Sequence, residues 1–142
     1  MARKLKAPGM NKCIQCYSCM ISCARYNYHS HSVSRCCLKI RTAGGLAGRY
    51  VAEICRSCNK PTCVDVCATE ALVAKPGGGA LFYKDKCIGC KKCIDVCKIQ
   101  YLEFDDELKL PLMCKHCGIC VRFCPHNCLE MEADKGGIKN AV

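Results

Sequence analysis

Four stretches of this sequence set cysteines at ligand spacing: CIQCYSCMISC (Cys13, Cys16, Cys19, Cys23), CRSCNKPTCVDVC (Cys55, Cys58, Cys63, Cys67), CIGCKKCIDVC (Cys87, Cys90, Cys93, Cys97) and CKHCGICVRFC (Cys114, Cys117, Cys120, Cys124). Three read C-x2-C-x2-C-x3-C, and the second carries two extra residues before its third cysteine. This is the spacing with which thiolates hold a 4Fe-4S cubane. Three close cysteines cap one cluster from a tight loop, and the fourth, at a helix start, reaches a neighbouring cluster. Such runs must therefore work in pairs. They account for all but three of the 19 cysteines, enough for four 4Fe-4S clusters.

Zinc is the competing metal. Tetrahedral zinc sites use two ligand pairs separated by a longer spacer, whereas each group here has four cysteines, three at near-equal intervals, which points to iron–sulfur. The remaining Cys36, Cys37 and Cys128 read as thiols packed near the clusters, and adjacent Cys36 and Cys37 are poorly placed to bridge each other. His29 and His31, in a Ser-rich stretch, read as surface groups.

The segments between the runs must carry the thiolates into place. LKIRT and RYVAEI around AGGLAG read as two strands and a turn, as do ALVAK and ALFYK around PGGG. IQYLEF and LKLPLM flank the acidic turn DDE. AGGLAG lacks the GK[ST] ending of a phosphate loop. Cysteine run, short helix, hairpin and next run form a repeating unit, so the fold class is α+β. ARYNYHSHSVSRCC after the first run reads as irregular loop. Residues 1–12 read as a basic tail, solvated or draped over a neighbour, and 133–142 as a flexible tail. Proline follows the fourth cysteine only at Pro125; Ala24, Ala68 and Lys98 hold the equivalent places.

At 142 residues the chain makes one or two small domains, neither large enough for a sizeable hydrocarbon core. The formal charge of +10 invites a nucleic-acid reading. Each oxidised cubane with its thiolates adds −2, however, so four bring the protein to about +2. Lys86, Lys91, Lys92, Lys98 and Lys115 then read as counter-charges to the clusters, and no nucleic acid is expected. No apolar run reaches membrane-spanning length. No cleaved export signal is recognised in MARKLKAPGMNKC, so the expected setting is reducing and cytoplasmic. There is no strand–GxGxxG–helix unit and no nucleophile–base pair.

The order of spacings, with the longer variant second and CIGCKKC third, resembles the four-cluster ferredoxin subunits of molybdenum- and tungsten-pterin oxidoreductases. EICRSCNKPTCVDVCATEAL is especially similar to that family's second run, and the resemblance extends from about residue 10 to residue 132. The chain is shorter than the dimethyl-sulfoxide-reductase-type members and lacks their insertion in the fourth run. It thus looks closest to the small subunits of tungsten aldehyde oxidoreductase and benzoyl-CoA reductase complexes. The resemblance implies two bacterial-ferredoxin-like modules of short helices and hairpins around paired clusters: an outer module of 13–45 plus 98–132 and an inner one of 46–97. It also implies nested pairing, with Cys55, Cys58, Cys63 and Cys97 on one cluster and Cys87, Cys90, Cys93 and Cys67 on its partner. Cys13, Cys16 and Cys19 would join Cys124, and Cys114, Cys117 and Cys120 would join Cys23. Pairing run one with two and three with four also fits the spacing.

The function so implied is non-catalytic. The chain would be an electron-transfer subunit linking a tungsten- or molybdenum-pterin catalytic subunit to a ferredoxin or to a flavin- or nicotinamide-binding redox subunit. A free soluble polyferredoxin is the alternative.

Overall fold

The computed structural model describes residues 3–44 and 48–133. Four helices alternate with four two-stranded antiparallel ribbons, a mixed helix and strand fold. In chain order the elements are β1 (Arg3–Lys6), α1 (Ser18–Tyr28), β2 (Lys39–Thr42), β3 (Tyr50–Glu53), α2 (Thr62–Asp65), β4 (Leu72–Ala74), β5 (Ala80–Phe82), α3 (Lys92–Asp95), β6 (Glu103–Asp105), β7 (Leu110–Leu112), α4 (Ile119–Phe123) and β8 (Glu130–Ala133). Each of the three expected hairpins forms. β2 pairs with β3, β4 with β5 and β6 with β7. Pro111 sits within β7, opposite Phe104, where a two-stranded ribbon spares it a second neighbour. Part of AGGLAG, 45–47, and most of the C-terminal tail, 134–142, lie outside the described residues.

Two expectations are corrected. The basic tail is no free arm, because Arg3–Lys6 pairs with Glu130–Ala133, the two ends of the described chain. Leu5 is buried opposite Met131, while Lys4 and Lys6 face Glu132 and Glu130. The lysines therefore meet carboxylates across the ribbon, a favourable cross-strand pairing. The stretch after the first run is also not loop throughout, since α1 continues through Ala24–Tyr28. Ala24 is fully buried, Asn27 Nδ2 donates to the Cys23 carbonyl at 3.0 Å, and left-handed His29 ends the helix with its N–H on Arg25 O. Side-chain burial here overrides polar composition.

Buried side chains fall into two clusters. One gathers Leu5, Met20, Ala24, Leu38, Ile40 and Leu129 with Cys19, Cys23, Cys36, Cys37, Cys114, Cys120 and Cys128. The other has only Leu72, Tyr101, Leu102 and Met113, with Val64, Phe82 and Ile94 against them. Charges tie the β6–β7 hairpin to β2 and the turn before it. Arg35 pairs with Asp105 (2.8 Å) and Glu107, and Lys39 with Glu103 (3.2 Å).

The β4–β5 turn lies against the second cysteine run, with the Gly79 N–H donating to Cys58 O at 2.9 Å. A Cβ on Gly79 would stand 2.5 Å from Ser57 Oγ, and the residue has φ of +86°. Gly79→Ala is expected to destabilise the metal-loaded protein by about 1–3 kcal/mol, combining steric and left-handed strain. Thermal unfolding of variant against parent checks this; an unchanged midpoint would show that the turn does not brace the run.

Candidate metal centre

Each run begins in the same backbone shape. The second residue after the first cysteine is left-handed in all four: Gln15, Ser57, Gly89 and His116, with φ of 58°, 51°, 69° and 54°. That turn folds the chain back over its own sulfur. The N–H of Gln15 points at Cys13 Sγ (3.4 Å), that of Ser57 at Cys55 Sγ (3.5 Å) and that of His116 at Cys114 Sγ (3.4 Å). Amide donors facing a sulfur stabilise its anionic form.

Contrary to the expectation from spacing, the fourth cysteine does not start a helix; the third stands near the helix start and the fourth four residues on, Cys19 and Cys23 in α1, Cys63 and Cys67 about α2, Cys93 and Cys97 about α3, Cys120 and Cys124 about α4. Residues so spaced share a helix face but lie one turn apart along it. One helix can therefore offer a sulfur to each of two sites. Cys13, Cys16, Cys19 and Cys124 line one cavity. Cys55, Cys58, Cys63 and Cys97 line a second, and Cys67, Cys87, Cys90 and Cys93 a third. The remaining cysteines of runs one and four are Cys23, Cys114, Cys117 and Cys120; Cys23, Cys114 and Cys120 are buried in one cluster where α1 packs on α4. Run one thus meets run four, and run two meets run three.

The donor set fits an iron–sulfur cubane. Every group supplies four thiols, the walls are otherwise largely apolar, and backbone amides aim at sulfurs in the runs. Among the described residues no three His, Cys, Asp or Glu side chains converge as a single ion would require.

The thiols differ by place. Burial pushes Cys19 and Cys120 up to about 12, helped by neighbouring cysteines, and Cys63 and Cys93 up to about 11. Three fourth-place cysteines go the other way. For Cys67 and Cys124 burial opposes ionisation, but hydrogen bonds, mostly from the backbone turn that follows, outweigh it. Cys23 falls to about 6, chiefly because the Cys37 thiol donates to it.

The run-one helix removes the turn that serves its counterparts, and a side chain one helical turn on and a residue from beyond the helix replace it. The Cys37 N–H reaches Cys23 Sγ at 3.3 Å, and Asn27 Nδ2 reaches it at 3.5 Å. The Tyr28 hydroxyl in turn shares a hydrogen bond with Cys37 (3.3 Å). Cys128 lines the Cys13 cavity and its N–H faces Cys124 Sγ at 3.4 Å. Cys36 donates its thiol to the carbonyls of Val33 and Leu38 (3.0 and 2.8 Å). All three extra cysteines are buried. Sequence reasoning missed His116, whose Nδ1 accepts the Leu5 N–H at 2.9 Å and fastens β1 to the fourth run. It also missed Tyr101, buried between two sites. No spacing marks either. Of the apolar residues in runs one and four, Ile14 and Phe123 are exposed while Met20 is buried in the core.

Comparison with known proteins agrees with this chemistry. Residues 110–130 match a family described as "4Fe-4S binding domain", and 10–26 and 84–101 match a second family of the same description. The second run, with its longer spacing, lies outside these matches. The chain is 33% identical over 146 residues to UacF of Escherichia coli (strain K12), a provisionally named oxidoreductase, covering 94% of this chain and 22% of that protein. It is 29% identical over 102 residues to the arsenate respiratory reductase iron-sulfur subunit ArrB of Shewanella sp. (strain ANA-3), covering 68% and 42%. It is 25% identical over 134 residues to the thiosulfate reductase electron transfer subunit PhsB of Salmonella typhi, covering 84% and 70%. The chain thus spans less than half the length of the first two. No described helix is long and apolar enough to cross a membrane.

Seven of the thirteen buried members of the larger cluster are cysteines, and the smaller cluster has only four buried members. Little hydrocarbon remains to hold the chain if the sulfurs are left without metal, so metal binding should supply folding free energy. Chelation under anaerobic conditions is expected to abolish amide dispersion in the NMR spectrum; a well-dispersed spectrum from metal-free protein would contradict this.

Proposed function

We propose that this chain is the iron–sulfur electron-transfer subunit of an oxidoreductase complex and is not itself catalytic. It carries four 4Fe-4S clusters held by Cys13, Cys16, Cys19 and Cys124; by Cys23, Cys114, Cys117 and Cys120; by Cys55, Cys58, Cys63 and Cys97; and by Cys67, Cys87, Cys90 and Cys93. The observation that carries the reading is that three cavities are each lined by three cysteines of one run and the fourth cysteine of another. This interlocking makes sites neighbours, as a relay needs. A cubane takes up and releases one electron. The chain's own residues hold the sulfurs, aim amides at them and exclude water.

In this reading 13–45 with 98–132 forms an outer ferredoxin-like module and 46–97 an inner one, with the β6–β7 hairpin linking them. The catalytic partner is a molybdenum- or tungsten-pterin subunit, and a ferredoxin or a flavin- or nicotinamide-binding subunit exchanges electrons at the other end. The names of ArrB and PhsB, as subunits of an arsenate and a thiosulfate reductase, support a subunit over a free carrier. Tagged protein recovered anaerobically from its own cell should bring down a pterin-bearing chain; recovery alone would return the free polyferredoxin.

Two measurements test the cluster assignment. Anaerobically prepared protein should hold about sixteen iron and about sixteen acid-labile sulfide per chain, and a stable preparation with half that iron would sink the four-cluster reading. Cys97→Ser should alter the signals of the site shared with Cys55, Cys58 and Cys63 and leave the Cys87 site as it was. A change confined to the Cys87 site would mean that each run closes its own cluster.

A further inference from the structure

Tyr101 is only 6% exposed, a member of the smaller buried cluster, and it lines the cavity of Cys55, Cys58, Cys63 and Cys97. The phenol oxygen accepts the backbone N–H of Cys114 at 3.1 Å, and the same residue lines the cavity of Cys55. Those two cysteines belong to different sites and to different pairs of runs. A phenol has one proton to give and lone pairs to receive, so with Cys114 on a lone pair its own proton is left to turn to the Cys55 sulfur. Met113 on the same cavity wall adjoins Cys114 in the chain, and Cys55 is packed against both buried clusters.

We infer that Tyr101 is the bridge joining the Cys55–Cys58–Cys63–Cys97 site to the Cys23–Cys114–Cys117–Cys120 site. The four sites then lie in single file, with the Cys67–Cys87–Cys90–Cys93 and Cys13–Cys16–Cys19–Cys124 sites at the ends. The inference rests on the four-cluster reading. The two end sites are each tied to their inner neighbour. The link is the shared helical turns, Cys63 with Cys67 and Cys93 with Cys97 in one pair, Cys19 with Cys23 and Cys120 with Cys124 in the other. Each passage between the middle sites oxidises one by one electron and reduces the other by one. Tyr101 is not itself oxidised, and no proton moves. The ring is buried among apolar side chains, where a neutral phenol is favoured over a phenolate. Tyr101 is a positioning residue: it fixes Cys114 relative to Cys55 and gives a hydrogen bond to one sulfur.

Tyr101→Phe keeps the ring and removes the bridge, with exposed Tyr83→Phe as control. A hydrogen bond to a cluster sulfur favours the more negative, reduced state. Its loss should therefore lower the midpoint of the Cys55-side cluster by about 59 mV, a tenfold change for one electron. Electron equilibration between the middle sites after flash reduction should slow by more than that change in driving force explains. EPR-monitored titration and transient absorption read the two, and mere packing would move neither. Full iron content with midpoint and rate unchanged overturns the bridge while leaving four clusters standing. Parent protein with only half the iron fails the earlier reading instead. Should Tyr101→Phe load poorly, 3-fluorotyrosine inserted at 101 is a stronger donor and must raise the same midpoint; no movement overturns the inference.

Discussion

The architecture hangs on one geometric fact, that two cysteines four residues apart on a helical turn face the same way at different heights. Cys19 with Cys23, Cys63 with Cys67, Cys93 with Cys97 and Cys120 with Cys124 repeat it. Each turn can thus offer a sulfur to two sites, and three of the cavities are lined by cysteines of two runs. From this follow the antiparallel ribbons, which return the chain so that run three meets run two. The closing ribbon β1–β8 follows as well, bringing the two ends of the described chain together beside the runs that must meet.

Sulfur replaces hydrocarbon in much of this interior. Where a domain of this size would ordinarily lack buried apolar surface, cysteines fill the centre and are held by amides as well as by packing. The surface contributes little by comparison. The Arg35–Asp105 and Lys39–Glu103 pairs are partly solvated, a setting in which ion pairs add little to stability. Their role is placement: they hold the acidic hairpin against β2, and that hairpin is flanked by Tyr101 and Met113.

The cysteine runs and the three hairpins were legible because both depend on local rules, ligand spacing in one case and turn chemistry in the other. What could not be read were contacts made by residues far apart. RKLK has no strand signal of its own and becomes β1 only because EMEA lies across from it. Ala24–Tyr28 look polar, yet the helix persists because one face is buried. Cys37 and Tyr101 carry no motif. The fold delivers Cys37 to the Cys23 sulfur and Tyr101 to the Cys114 amide and the Cys55 cavity. The grouping of runs, left open by spacing alone, depends likewise on how the ribbons return the chain.

The second cysteine of every run, Cys16, Cys58, Cys90 and Cys117, is exposed, whereas in runs one and four the third is buried. Each site thus presents one sulfur corner to solution at an equivalent place. Thiol exchange and oxidation both begin at accessible thiolates. On the proposed reading, a donor thiol delivering a cluster and an oxidant attacking one would meet the same exposed sulfurs, so loading and oxidative loss would share an opening.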